Sequence, residues 1–197
     1  MSRHYYGVST VLTVALASSL TGSALTRAWS ASPWSERTVP ADSSLSSSVR
    51  ELHKPNFEVL YDRRLRSPIL VRERLGTKAK QGPRPKRGRW RADPDVAERW
   101  RITTRDAKAW AKRGYDRGHL VPAADCRDEK TMHASFLLSN AAPQSPRLNK
   151  TVWAELEKLT REVADSPGVS HVDVFTGPLF LCTEKQDKST VRNCTQK

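Results

Sequence analysis

The stretch GYDRGHLVPAADCR, residues 114–127, places Arg117 and His119 on either side of a single glycine, just ahead of an apolar turn that contains a proline. An arginine side chain can hold an anion through paired hydrogen bonds. A neutral imidazole, whose ordinary pKa is about 6.5, can accept a proton at physiological pH. Gly118 between them leaves room for close approach of the backbone. The stretch therefore indicates a site that holds an anionic group and moves a proton.

The charge of the whole chain indicates a polyanionic partner. Its 197 residues include 34 Lys and Arg against 21 Asp and Glu, which gives a formal net charge of +13. Such an excess favours binding to nucleic acid or to an anionic membrane surface. The length allows one domain with a hydrophobic core, plus tails. The three cysteines do not suggest a disulfide framework, and no Cys-x-x-Cys pair supports a zinc site (Cys126, Cys182, Cys194).

Residues 1–32 are interpreted as a targeting or anchor segment. They contain Arg3 and Arg27 but no acidic residue, since the first carboxylate of the chain is Glu36. Three alternatives stay open: a mitochondrial presequence, a secretory signal, and an anchor that associates the protein with a membrane. Residues 33–52 are rich in Ser and Pro and predict a flexible linker. The folded domain is predicted to occupy residues 53–197.

Five further segments predict the elements around the opening motif. FEVLY (57–61) and ILVRE (69–73) predict two strands joined by a loop. The basic stretch 74–91 is interrupted by Gly and Pro, and it predicts a loop that faces solvent or an anion. NKTVWAELEKLTREVA (149–164) has the apolar spacing of a helix, and HVDVFTGPLF (171–180) predicts a buried strand. The predicted apolar face of the helix comprises Val152, Trp153, Leu156, Leu159 and Val163.

The motifs YDRGHL, FLLSNAAPQ, Asn-x-x-x-Trp and TGPLF follow one another in this order. In this ordered set the chain, from about residue 57 to residue 180, resembles the DNA/RNA non-specific nucleases of the ββα-metal superfamily, and within them the endonuclease G branch. The resemblance implies an α+β fold, the ββα-metal nuclease fold with a central antiparallel sheet. Family members usually continue well past the TGP strand, whereas this chain stops at Lys197. We therefore expect a sheet that is incomplete towards the C-terminus.

The resemblance also implies roles for residues of this chain. His119 matches the general base, and Asn149 matches the single direct protein ligand of Mg²⁺, for which Mn²⁺ is an alternative. Arg117 matches an arginine that binds the scissile phosphate, and Glu157 matches a glutamate that holds metal-bound water. Asn140 matches an asparagine beside the histidine that orients groups in the site.

Two further roles concern charge. Asp116 matches the acidic residue of the motif, for which a structural role is expected. An upstream arginine that assists in some members corresponds to one of Arg87, Arg89 and Arg91, which we expect to contact nucleic acid. This residue set suits phosphodiester hydrolysis because water must lose a proton and negative charge gathers on phosphorus. One amide oxygen suits Mg²⁺, which prefers oxygen ligands and keeps several waters.

Two functions remain in competition. The leading hypothesis is a Mg²⁺-dependent, sugar-non-specific endonuclease that acts on DNA and RNA. The alternative is a catalytically inactive, truncated paralogue that binds nucleic acid or pairs with a full-length nuclease. Because the endonuclease G branch commonly forms dimers, a homodimer is a further expectation.

The sequence Asn149-Lys-Thr is an N-glycosylation sequon at the expected metal ligand. A glycan on Asn149 would block the site. We therefore expect that an active form avoids the secretory pathway, which favours the mitochondrion as its location.

Overall fold

The computed structural model describes residues 8–18, 48–76 and 85–180 of the chain. Its main features are an antiparallel five-stranded sheet and a separate antiparallel pair of strands. The predicted α+β class with a central antiparallel sheet is confirmed. The described strands are β1 Val8–Ser18, β2 Val49–His53, β3 Phe57–Asp62, β4 Ser67–Gly76, β5 Asp116–His119, β6 Ala141–Gln144 and β7 His171–Phe180. The large sheet has the order β1-β7-β4-β3-β2, and β5 and β6 form the separate pair. The described α-helices are α1 Thr104–Lys112, α2 Glu129–Ser135, α3 Pro146–Lys150 and α4 Val152–Ala164.

The strands predicted from FEVLY, ILVRE and HVDVFTGPLF are confirmed as β3, β4 and β7. Side chains along a strand point alternately to its two faces, so every second side chain lies on the same face of the sheet. Val59 and Val71 are fully buried and Tyr61 almost so, on the face that packs against the rest of the domain. The predicted loop 74–91 is confirmed only for residues 85–90, because residues 74–76 belong to β4 and residues 77–84 lie outside the described ranges.

The sheet begins before the predicted domain boundary at residue 53. Val49–His53 pairs with β3, and Leu52 is buried opposite Val59. Residues 48–52 of the predicted linker 33–52 therefore belong to the folded domain, which corrects that boundary. The burial of one leucine and a five-residue ladder of hydrogen bonds hold this polar strand in place. Residues 33–47 lie outside the described ranges.

The predicted targeting segment 1–32 contains β1. Val8–Ser18 is an edge strand antiparallel to β7, with the register running from Val11 opposite Pro178 to Ser18 opposite His171. The rest of the segment lies outside the described residues, and the three alternatives for its role stay predictions. Within the described ranges, none of the helices combines the length and apolar character that a membrane crossing needs.

The helix predicted over residues 149–164 is broken at Thr151, whose φ of −119° and ψ of −94° are not helical. Asn149 therefore lies in the short helix α3, and Glu157 lies in α4. This corrects the expectation that one continuous helix carries both residues. Ser145 caps α3, since its hydroxyl accepts a hydrogen bond from the Leu148 N–H, and Pro146 occupies the first turn.

The buried face of α4 also differs from the predicted one. Trp153 is buried as expected, but Val152 is 65% exposed and Leu159 is 53% exposed. Thr160 and Ala164 are buried instead. Together with Trp153 they form a stripe at helical spacing that faces the sheet.

The main hydrophobic core lies between the five-stranded sheet and the layer formed by the β5-β6 pair and the helices. Leu120 and Val121, the two residues that follow the motif, are almost completely buried in it. Trp153 joins the same core from α4. The apolar turn after the motif thus anchors the end of β5 in the core.

Candidate active site

The opening motif forms β5, which pairs with β6 so that Gly118 lies opposite Ala142 and His119 lies opposite Ala141. A side chain at Gly118 would collide with Gln144, because an added Cβ would stand 2.1 Å from the Gln144 Oε1. The glycine therefore permits the close approach of the two strands. This pairing fixes the backbone on both sides of Gly118.

His119 lies at the end of β5 between two aromatic rings. Its ring centroid is 4.4 Å from that of Trp90 and 4.8 Å from that of Phe136, which meets it edge-on. The Trp153 indole N–H donates a 3.3 Å hydrogen bond to the His119 carbonyl oxygen. Nε2 of His119 is buried and makes no hydrogen bond with the described residues. A buried ring nitrogen without a partner is available to a substrate or a water molecule.

Burial, with the positive charge of Arg87 as the second cause, lowers the pKa of His119 to about 3. Both effects oppose a positive charge on the ring. His119 is therefore neutral at physiological pH, in the form that can accept a proton.

A cavity of about 310 Å³ opens beside His119. Asn149, Glu157 and Arg87 line it together with His119. The structure thus brings together four residues that the sequence analysis assigned to the site, from β5, α3, α4 and the basic loop. The remaining lining residues are Pro122, Ala123, Ala124 and Met132.

The side chain of Asn149 is oriented by Asp116. Its amide nitrogen donates a 3.1 Å hydrogen bond to the Asp116 Oδ2, which also lies 3.3 Å from the Lys150 ammonium. Among the described residues, no hydrogen bond reaches the amide oxygen of Asn149. An oriented amide oxygen beside a cavity suits a hard divalent cation.

Glu157 lines the cavity from α4 and belongs to a buried acidic group. Burial, with the negative charge of Asp125 as the next cause, raises the pKa of Glu157 to about 7. Asp125 is paired with Arg161 at 3.0 Å. Burial and the charges of Asp125 and Glu157 raise the pKa of Glu73 well above its usual range.

Sequence reasoning assigned no role in the site to Glu73, Asp125 or Arg161. A signal for Glu73 was present, since it stands between Val71 and Leu75 on the core-facing side of β4. A carboxylate at a buried strand position is uncommon without a functional or ion-pairing reason. Arg161 stands one helical turn after Glu157, a spacing that predicts an ion pair, whereas Asp125 gains its significance only from contacts across the fold.

Asn140 is buried and does not line the cavity. Its amide oxygen accepts from the Val121 N–H at 2.9 Å, and its amide nitrogen donates to the carbonyls of Val121 and Ser135 at 3.0 and 2.9 Å. The side chain thus holds the backbone two residues beyond His119. This geometry fits a positioning residue.

The remaining predicted arginines do not line the cavity. Arg117, Arg89 and Arg91 are exposed. The backbone of Arg91 is bonded to residues 136 and 138 on either side of Leu137, which fixes the end of the basic loop. Arg87 lies over the Phe136 ring at 5.7 Å, close to His119.

Comparison with known proteins places this geometry in a family. A profile of the family described as DNA/RNA non-specific endonuclease matches residues 35–195. Human mitochondrial endonuclease G is 39% identical over 142 residues, which cover 71% of this chain and 46% of the human protein. A nuclease of Syncephalastrum racemosum is 36% identical over 135 residues, 66% of this chain and 41% of that protein. The chain thus spans less than half the length of these two relatives.

A solved structure shows the same relationship in three dimensions. The chain is similar to one in the crystal structure of the EndoG/EndoGI complex, with a TM-score of 0.61 and 30% identity. The match covers 70% of this chain and 56% of the other. The expected ββα-metal nuclease fold is confirmed by this similarity. Because the family profile matches residues 35–195 and the fold is shared, the chain belongs to the DNA/RNA non-specific endonuclease family.

Proposed function

We propose that the protein is a metal-dependent endonuclease that hydrolyses phosphodiester bonds in DNA and RNA. The observation that carries this proposal is the cavity lined by His119, Asn149, Glu157 and Arg87, with an unpartnered Nε2 on the histidine. Such hydrolysis needs a proton acceptor, an oriented amide oxygen, a carboxylate and a positively charged side chain, and these four residues supply them. The names of the relatives as nucleases support the same activity.

The cavity fits a hard divalent cation. We assign Asn149 as the direct ligand because Asp116 occupies its amide nitrogen and leaves the oxygen available. We assign Glu157 to hold water of the cation's hydration shell, with Mg²⁺ as the metal and Mn²⁺ as the alternative. The bound cation supplies positive charge against the negative charge that gathers on phosphorus. Its charge also favours the ionised form of Glu157, whose pKa burial raises to about 7.

We assign His119 as the general base, which takes the proton of the attacking water at Nε2. The low pKa of the free site keeps the ring neutral but makes it a weak base. The negative charge of a bound phosphate raises that pKa, because it stabilises the imidazolium and offsets the charge of Arg87. The ring therefore becomes a stronger base when substrate is present.

Arg117 and the basic loop are assigned to phosphate contacts. Arg117 and His119 are two residues apart in β5, so their side chains lie on the same side of the strand. We assign Arg117 to the scissile phosphate, and Arg87, Arg89 and Arg91 to flanking phosphates. Contacts to phosphate carry no direct information on base sequence, which accounts for cleavage with little sequence preference.

Nicking of supercoiled plasmid by the full chain tests the proposal. We expect Mg²⁺-dependent nicking that EDTA abolishes. His119→Ala should lower the nicking rate by about 10²–10⁴-fold, which is the usual contribution of a general base to the rate. Asn149→Ala should lose activity in the same range unless the metal concentration is raised. His133→Ala is the matched control, since His133 is exposed on α2 and does not line the cavity.

Two outcomes would contradict parts of this assignment. Undiminished nicking by a folded His119→Ala variant would remove His119 as the base. Salt-sensitive binding of nucleic acid by the folded protein, without metal-dependent cleavage, would replace the enzyme with the non-catalytic alternative.

We further propose that the protein is directed to the mitochondrion. Relatives in human, Schizosaccharomyces pombe and Saccharomyces cerevisiae are named as mitochondrial. The N-terminal 32 residues carry Arg3 and Arg27 and no acid. Import of a reporter fused to residues 1–50 into isolated mitochondria tests this, and entry of the same fusion into microsomes instead would contradict it. The homodimer and the membrane association stay predictions, open to sedimentation and carbonate extraction.

A further inference from the structure

A histidine and two glutamates share one face of the β2-β3 hairpin, outside the cavity described above. Glu51 and His53 are two residues apart in β2, so both side chains point to the same side. Glu58 of β3 lies directly opposite His53. The alternating residues Leu52 and Val59 are buried in the core, which places the trio on the other face of the sheet.

The three side chains are already close enough to share an ion. His53 Nε2 lies 3.7 Å from the Glu51 Oε1, and His53 Nδ1 lies 3.8 Å from the Glu58 Oε1. One ligand atom from each residue falls within 4.8 Å of the others. A tetrahedral zinc ion with bonds of about 2.0–2.1 Å holds its ligand atoms about 3.3 Å apart. Small side-chain rotations would close this gap.

The surroundings leave the site usable. The Arg72 guanidinium, which is almost buried, lies 3.5 Å from the Glu58 Oε2 and 3.9 Å from the Asp173 Oδ1. It therefore pairs with the buried Oε2 of Glu58 and leaves Oε1 facing His53. His53 has 67% of its side chain exposed and borders an open groove of about 500 Å³, so an ion can enter from solvent.

We propose that Glu51, His53 and Glu58 form a second cation site, selective for Zn²⁺ over Mg²⁺, at the edge of the large sheet. An imidazole with two carboxylates suits zinc, whereas Mg²⁺ prefers oxygen ligands alone. Three protein ligands leave a fourth position for water. Because β2 is the outermost strand and Glu58 belongs to its neighbour, the ion ties the sheet edge to the interior strand.

Calorimetric titration of Zn²⁺ into the reduced full chain, with excess Mg²⁺ present, tests this site. We expect one zinc equivalent whose affinity falls at least about tenfold in His53→Ala and in Glu51→Gln, since even the loss of an outer partner weakens metal sites by this factor. His133→Ala is the matched control and should bind as the wild type does. Circular dichroism should show that the variants are folded, since His53 is exposed.

Thermal unfolding supplies a second readout that does not involve nuclease activity. Zn²⁺ should raise the melting temperature of the wild type by a few degrees, because it binds the folded state, and should leave that of His53→Ala unchanged. Equal zinc affinity in the wild type and in His53→Ala would overturn the proposal, as would the absence of zinc binding by the folded wild type. Neither result depends on the proposed nuclease function, because none of the three residues lines its cavity.

Discussion

Gly118 combines a packing constraint with a functional position, since it separates Arg117 from His119 in β5. An added Cβ would stand 2.1 Å from the Gln144 Oε1 and 2.8 Å from the Gln144 Cβ. We expect Gly118→Ala to push β5 from β6, to cost about 1–3 kcal/mol of unfolding free energy and to lower nicking activity. Urea denaturation and the plasmid assay measure both effects.

Gly76→Ala is the control for this substitution. Gly76 is also in a strand, yet nothing lies within 4 Å of its added Cβ. Equal stability and activity of the two variants would show that the contact with Gln144 does not constrain the site.

The depressed pKa of His119 predicts a dependence of stability on pH. In the unfolded chain a histidine has a pKa of about 6.5, whereas burial lowers that of His119 to about 3 in the folded protein. As pH falls, the unfolded state takes up this proton first, so stability from this residue is lost progressively between these two values. Denaturant titrations at pH 7.5 and 5.0 should show a smaller loss for His119→Asn than for the wild type. An equal loss in the two proteins would contradict the low pKa of His119.

At the level of single residues, the structure brings His119, Asn149 and Glu157 to one cavity, as their motifs predict, because these motifs carry strong local signals. The sequence could not show that Asn140 bonds to the backbone of Val121 rather than facing the cavity. It also could not show the acidic group around Glu73. That group exists only because distant segments of the chain pack together.

At the level of elements, a buried ion pair links the β2-β3 turn to the segment between β4 and α1. The Lys54 ammonium lies 2.8 Å from Asp93 and 2.7 Å from Asp95, and the side chains of Lys54 and Asp93 are almost completely buried. The Ser139 hydroxyl donates a short hydrogen bond to Asp93. Because Asn140 follows Ser139, this network helps to place the side chain that holds the backbone beyond His119.

Lys54→Met should therefore be strongly destabilising. It leaves the buried Asp93 without its cation, a change that typically costs about 3–5 kcal/mol. The matched control is Lys158→Met, which removes an exposed pair with Glu162 on α4 and should cost less than about 1 kcal/mol. Chemical denaturation compares the two, and similar small losses would show that the buried pair contributes little.

The elements differ in how strongly the sequence signals them. β3, β4 and β7 are marked by dense apolar and β-branched residues, and the sequence predicts all three. β2 falls in the predicted linker because Leu52 is its only buried apolar residue, so this strand depends on pairing with β3. The start of α3 has a local signal, since Ser145-Pro146 marks a helix start, but this signal does not predict the break at Thr151.

At the level of the whole molecule, the charge of +13 predicts salt-sensitive binding of nucleic acid. Replacing Arg87, Arg89 and Arg91 together with alanine should flatten the dependence of log affinity on log salt by about 2–3, near 0.9 for each phosphate that is no longer neutralised. This slope is measured by binding of a DNA duplex in EDTA. Every protein in the comparison carries His119→Ala, so that the duplex is not cleaved. Replacing Lys108 and Lys112 of α1 is the control, and an equal flattening there would indicate diffuse attraction instead of binding by the loop.

The family and the fold class are predictable at this scale because several short motifs occur in a fixed order. The topology of the sheet is not predictable, since β2 carries little local signal and the position of β1 depends on β7, far along the chain. β1 in particular falls within the predicted targeting segment.

The position of β1 connects transport with structure. The strand that pairs with β7 lies inside the segment that we propose as a mitochondrial address. A processing protease that cut after Ser18 would turn β7 from an interior strand into an open edge, with its backbone donors and acceptors unpaired over most of its length. The precursor and the processed protein would then differ in their ability to assemble with another chain as well as in length. Maturation would create a template on which a second polypeptide could add its own strand.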